Sequence, residues 1–211
     1  MYKAFGKRLI DLIISIIGLP FFAILFMLFA PIIKLTDGGH IFYNAERLGL
    51  RGKVYKMYKF RSMRENAPDI RNKDGSTFNG DNDPRVTKIG KFMRKTSIDE
   101  TPQILNVLKG DMSIIGPRPH LTTSYQGYDK LDEQQKKRLE VRPGITGYSQ
   151  AYYRNSIMQQ EKITNDVFYA ENVSLALDAK IFFHTIKSVI KRENIYVLDE
   201  KPSSVRENSK K

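Results

Sequence analysis

Residues 94–119 read RKTSIDETPQILNVLKGDMSIIGPRP, and the rest of the chain is organised around them. Asp99 and Glu100 stand side by side in a protein of formal net charge +12. The pattern predicts a helix over Thr87–Lys95 and a second from about Thr101 to Lys109. Gly110 closes the second, because glycine readily takes the left-handed conformation that ends a helix. Ser97-x-x-Glu100 has the form of a capping box, in which the acids serve the free N–H groups of a first turn. That register sets Pro102 one step too deep. A start at Asp99 or Thr101 places Pro102 in the first turn, where its missing N–H is tolerated. Farther on, GPRP holds Arg118 between Pro117 and Pro119, whose rings fix φ. A stiff turn with a solvent-facing arginine and a rigid phosphate-binding guanidinium both fit that motif.

Upstream, HIFYNAERLG and KVYKMYKFRSM predict two short strands. In the second, Tyr55, Met57, Lys59 and Arg61 share a face by the two-residue period. The Asn-, Asp- and Gly-rich segment 65–84 is a long loop, either a connection or a mobile lid. Downstream, LDEQQKKRLE predicts an exposed helix and VRPGITGYSQAYYRN a connector. Two more helices follow near 156–172 and 174–192, the last with an apolar stripe through Leu177, Ile181, Ile186, Val189 and Ile190 that suits core packing or a membrane surface. The chain from Glu200 is polar and expected to be disordered.

The N-terminal run LIDLIISIIGLPFFAILFMLFAPII, Leu9 to Ile33, carries no charge after Asp11. About 20 apolar residues suffice to cross a bilayer. Basic residues flank both sides (Lys3, Lys7 and Arg8 before; Lys34, Arg47 and Arg51 after), so the positive-inside rule selects no orientation. Two geometries fit. One is a helix that enters, turns near Gly18–Pro20 and returns, leaving both ends on the cytoplasmic face. The other is a single kinked span. The expected architecture is α+β and mostly helical: a membrane-inserted helix over 1–36, one small cytosolic domain over 37–195 and a polar tail over 196–211.

There are no cysteines, which excludes disulfides, thiol catalysis and Cys-based zinc sites. The three histidines lie far apart and lack ligand spacing. The excess of 35 Lys+Arg over 23 Asp+Glu predicts an anionic partner. No helix-turn-helix, zinc or RNP signature accompanies it, so nucleic acid is not the expected one. Beyond capping, two neighbouring acids are suited to two different tasks. Asp can carry a covalent phosphoryl group, and its neighbour can hold Mg²⁺, which takes one or two carboxylates plus phosphate oxygens. Phosphate charge also calls for cations, and Lys59, Arg61, Arg94, Arg118, Arg142 and Arg154 are candidates.

KRLIDLIIS, YKMYKFRSM, the 94–119 stretch and VRPGITGYSQ occur in the order and approximate spacing of the bacterial sugar transferases. These are small monotopic phosphoglycosyl transferases that begin glycan assembly on a polyprenyl phosphate. The resemblance covers roughly residues 3–192. It implies a re-entrant helix in the bacterial cytoplasmic (inner) membrane, with the catalytic domain facing the cytoplasm. It also implies a UDP-sugar donor, an undecaprenyl phosphate acceptor and Mg²⁺. By the same resemblance Asp99 matches the nucleophile and Glu100 its metal-associated partner. Lys59, Arg94 and Arg118 match positions that contact phosphate or shape the site, with Pro117 in the same motif. Arg154 and Asp166 fall where relatives contact the nucleotide sugar. Arg61, Arg142 and Gln150 complete the expected substrate-binding set. One departure stands out: the family breaks its membrane helix at a Ser-Pro pair near the position of Phe22–Ile24, whereas this chain has Pro20 about one turn earlier. A hydrolase of nucleotide sugars and a non-catalytic membrane scaffold are the alternatives. Neither the sugar nor an oligomeric state is encoded legibly.

Overall fold

In the computed structural model the apolar N-terminal run forms one helix, α1 (Lys7–Asp37), with Pro20 and Pro31 inside it. The described residues are 2–71, 78, 80, 83–120, 122, 128–153, 156–191 and 204–206. The turn expected near Gly18–Pro20 does not interrupt the helix. Proline removes one backbone hydrogen bond, but the neighbouring turns are held from outside by packing. Gly18 sits so close to the domain that a Cβ there would meet Ile104 Cδ1 at 2.6 Å.

Both ends of α1 are tied to the rest of the protein. Near its start, Lys7 pairs with Asp178 at 2.8 Å, and Arg8 donates to the carbonyls of Val107 and Leu108 at 2.6 and 3.1 Å. Asp11 is buried and accepts from Ser113 Oγ (2.8 Å) and the Ile114 N–H (3.0 Å). At the far end Asp37 binds Arg61. Between these anchors Phe22 and Phe26 pack on Phe60 and Phe42. The opposite face is uncovered: Ile16, Ile17, Phe21, Met27 and Leu35 are exposed, Ile17 at 73% and Leu35 at 85%.

The two predicted strands form an antiparallel hairpin, β1 (Phe42–Leu48) and β2 (Val54–Phe60), with Arg47 opposite Tyr55 and Ala45 opposite Met57. β3 (Asp69–Arg71) pairs antiparallel with β6 (Ser204–Arg206), so three residues of the segment expected as a disordered tail lie in a strand. Residues 72–77, 79, 81 and 82 of the 65–84 loop, and most of the region after 191, lie outside the described residues.

α2 (Lys88–Thr96) starts where predicted, with Thr87 accepting from the Gly90 N–H at 2.9 Å. Ser97, at φ 57°, ends that helix and makes no cap with its side chain. The capping box is therefore absent. A 3₁₀ turn over Ile98–Glu100 leads instead to α3 (Gln103–Lys109), with Pro102 at its N-cap and Gly110, φ 88°, at its C-cap. Arg8 reaches the last carbonyls of α3, a favourable place for a cation.

The connector expected at 141–155 is structured over 144–152. β4 (Ser113–Ile115) pairs in parallel with β5 (Gly144–Thr146), and α5 (Tyr148–Tyr152) follows. The Pro-rich segments beside β4 and β5 touch backbone to backbone. A Cβ on Gly144 would lie 2.1 Å from the Gly116 nitrogen, so only glycine fits. α4 (Glu133–Arg138) has an Asp132–Gln135 capping box, and α6 (Gln159–Glu171) and α7 (Leu175–Lys191) complete the fold. Ile115, Val141, Tyr169 and Ile181 form one core cluster, and Phe22, Ile33, Phe60 and Met93 another. The result is mostly helical with small sheets and one long apolar N-terminal helix.

Candidate active site

The 3₁₀ turn that replaces the capping box decides how the acids are presented. Adjacent residues on a tight turn point in different directions, and here one is buried while the other faces a cleft. Asp99 is only 9% exposed. Glu100 lines an open cleft together with Arg47, Met57, Lys59, Gln103 and Arg118. Lys59 Nζ donates to Glu100 Oε1 at 2.5 Å, and Arg118 Nη2 lies 3.6 Å from the same oxygen. Asp99 sits behind this pair.

Burial pushes the Asp99 carboxyl up to about 6, against an ordinary 3.8. Lys59 opposes that rise, Glu100 adds to it, and Arg94 and Arg118 oppose it more weakly. Desolvation thus outweighs the neighbouring cations. At pH 7 a carboxyl of pKa about 6 is still ionised by about ten to one.

Lys59 and Arg118 thus meet Glu100 at the cleft, with Pro117 buried at the start of the Arg118 turn. Arg94 supports the site from α2, with Nε donating to Ser62 Oγ at 2.9 Å. Arg61 does not belong to the cleft. Its guanidinium is buried against Asp37 (2.5 and 2.6 Å) and the carbonyls of His40 and Met63 (2.5 and 3.1 Å). Strand alternation puts Lys59 and Arg61 on one side, but β2 ends at Phe60 and the chain turns away. Arg142 is also elsewhere, donating to the Gly110 carbonyl at 2.9 Å behind α3. Arg154 lies outside the described residues.

Asp166 forms a buried ion pair with Arg138, whose Nη2 also donates to the Arg118 carbonyl at 2.7 Å. Burial raises the Asp166 carboxyl, and Arg138 pulls it back. Asp166 thus reaches the cleft through the backbone of the GPRP turn. One of its oxygens, Oδ1, has no hydrogen-bond partner, and both polar atoms of the buried Gln150 carboxamide are likewise unpaired.

Two cleft residues with polar side chains escaped the sequence reading, Arg47 and Gln103. Arg47 passed as a membrane-flanking cation. The signal that finds it is register: it shares the hairpin face of Met57 and Lys59. Gln103, 2% exposed, read as an ordinary helix residue.

Asp99 and Glu100 are the acidic donors available to a divalent cation at the cleft, and no group of three or more His, Asp or Glu that would hold a metal exists among the described residues. That donor set suits Mg²⁺, which takes few carboxylates and completes its shell with phosphate and water.

A family model described as bacterial sugar transferase matches residues 2–192. Among curated relatives, Galactosyl transferase CpsE of Streptococcus agalactiae is 44% identical over 194 residues, 88% of this chain and 42% of that protein. The UDP-N-acetylgalactosamine-undecaprenyl-phosphate N-acetylgalactosaminephosphotransferase of Aeromonas hydrophila is 40% identical, over 89% of this chain and 44% of its own length. The uncharacterized sugar transferase EpsL of Bacillus subtilis is 41% identical, over 90% and 89%. The chain thus spans less than half of the first two and most of the third.

Proposed function

The chain belongs to the bacterial sugar transferase family, and from that premise we propose that it transfers a sugar 1-phosphate from a UDP-sugar to undecaprenyl phosphate. The printed name of the Aeromonas relative, which includes both a UDP-sugar and undecaprenyl phosphate, supports this pair of substrates. The observation that carries the reading is the pairing of a buried, mostly ionised Asp99 with a cation-lined cleft fronted by Glu100.

In this reading an Asp99 carboxylate oxygen attacks the β-phosphorus of the donor. An O–P bond forms to Asp99, and the bond from that phosphorus to the bridging oxygen breaks. UMP leaves with the electron pair. An oxygen of the lipid phosphate then attacks the same phosphorus and returns the Asp99 carboxylate, leaving an undecaprenyl diphosphate sugar. Lys59 and Arg118 offset charge on the phosphate oxygens, and Lys59 also orients Glu100. Mg²⁺ held at Glu100, with Asp99 adjacent, would supply further positive charge to the diphosphate.

We also assign the uncovered apolar face of α1 to the inner leaflet of the bacterial cytoplasmic membrane, with the domain on the cytoplasmic side. A helix of 31 residues is about 46 Å long if straight. Both its ends are anchored to one domain, which supports a monotopic placement over a span.

The test uses the purified chain in nanodiscs with undecaprenyl phosphate, Mg²⁺ and a panel of UDP-sugars, reading UMP against UDP. Acceptor-dependent UMP from one donor is expected. Release of UDP would mean an ordinary glycosyl transfer and would remove the aspartyl step.

A further inference from the structure

We propose that Arg47 binds a substrate phosphate at the cleft, as a third cation beside Lys59 and Arg118; the inference rests on the transferase reading above. Arg47 sits in β1, and the hairpin register puts it opposite Tyr55 and diagonal to Met57. One face of the hairpin therefore presents Arg47, Met57 and Lys59 in a row, and all three line the cleft that Glu100 fronts.

Its surroundings are those of a ligand group and not of a structural strut. Arg47 Nε is buried and has no hydrogen-bond partner. Among the described residues no carboxylate makes a salt bridge with it. The three arginines that are buried outright are paired, Arg61 with Asp37, Arg85 with Asp83 and Arg138 with Asp166, whereas Arg47 is half-buried with its Nε enclosed. Burying a charge without a partner is costly. That cost is explained if the partner arrives with the substrate. Burial and the neighbouring Arg118 lower the Arg47 guanidinium to about 10, which still leaves it cationic at neutral pH.

Charge balance agrees. Arg47, Lys59, Arg94 and Arg118 contribute four positive charges around the two carboxylates Asp99 and Glu100. This excess of cations favours an anionic ligand at the cleft. A phosphate oxygen is the shared chemistry. It comes either from the nucleotide diphosphate or from the lipid phosphate, and the planar guanidinium fork suits both.

The experiment compares wild type, Arg47→Gln and Arg47→Lys, each full chain in nanodiscs, by thermal unfolding and by titration with UDP and, separately, undecaprenyl phosphate. Turnover is followed in parallel as UMP release. The glutamine variant should unfold at or above the wild-type temperature without ligand, because no partner is lost. It should bind one probe about 10- to 100-fold more weakly, the usual range for losing a charge-assisted hydrogen bond. Weakened UDP binding assigns the phosphate to the nucleotide, and weakened undecaprenyl phosphate binding assigns it to the lipid. The lysine variant should recover part of the loss, since it keeps charge without the fork.

Unchanged affinity for both probes overturns the proposal. A fall in unfolding temperature with both affinities intact marks a strut and also overturns it. If the glutamine variant does not fold, the lysine variant decides: wild-type affinity for both probes overturns the proposal, and a several-fold loss for one sustains it. A wild type that binds neither probe and releases no UMP removes the transferase reading, and this inference with it. A wild type that turns over while the variants match it removes only the inference.

Discussion

Asp99→Asn separates what the buried carboxylate costs from what it does. Its carboxyl titrates at about 6 in the folded protein against an ordinary 3.8. At about 1.4 kcal/mol per tenfold, the fold favours the neutral form by on the order of 3 kcal/mol. Between those two pH values the folded state binds more protons than the unfolded state. Stability therefore falls as pH rises from about 4 to about 6, and stays reduced above that. Asparagine is neutral throughout and escapes the loss. The variant should unfold near the wild-type temperature at pH 4 and above it at pH 7.5, by roughly 5–10 °C for a chain of this size. The assay is thermal unfolding of both proteins in nanodiscs across that pH range, with UMP release measured on the same samples. The variant should gain stability while losing UMP release. A stability gap that does not change with pH, or a variant less stable than wild type at pH 7.5, would refute the reasoning.

Turnover limited by the first step should drop about tenfold per pH unit below about 6 and level off above, because the nucleophile must be ionised; a flat profile down to pH 5 would contradict the assignment. Arg61→Gln should lower stability by about 1.5–3 kcal/mol, the range for hydrogen bonds to a charged group, while the folded fraction keeps its KM for the donor. A tenfold rise in that KM would return Arg61 to the site. Asp166→Asn leaves Arg138 buried without its counter-charge, so a loss of about 3–5 kcal/mol, the range for breaking a buried ion pair, is expected. It should also raise the donor KM, because Arg138 holds the Arg118 carbonyl; denaturation paired with initial-rate kinetics checks both.

What the sequence made legible was local. Thr87 and Gly110 mark helix ends by their own chemistry, and both stand as helix caps. The strands of the hairpin follow from alternation within 42–60. The cleft cations Lys59 and Arg118 came through motif resemblance, not through any local rule. Contacts between distant segments escaped. Nothing near Arg61 shows that Asp37 from α1 will fill its fork. Nothing near Arg142 shows that the Gly110 carbonyl will take its Nε. Arg47 became visible only with the β1–β2 register, which fixes which of its neighbours face the cleft. The capping box failed for a physical reason. Ser97 adopts a left-handed conformation to end α2, and a residue in that state is not in the extended conformation an N-cap requires. The long helix was legible as apolar, but a proline alone did not tell whether its ends part or return. In the structure α1 runs unbroken through Pro20, with Arg8, Asp11 and Asp37 tied to the rest of the protein.

The most direct test is mass spectrometry of the peptide carrying Asp99 after the wild type is incubated with its UDP-sugar and no lipid acceptor. The account predicts a phosphosugar adduct on Asp99, absent from Asp99→Asn and discharged when undecaprenyl phosphate is added. An unmodified Asp99 peptide, with nucleotide released only when donor and acceptor are both present, would mean direct transfer between substrates and would contradict the covalent role.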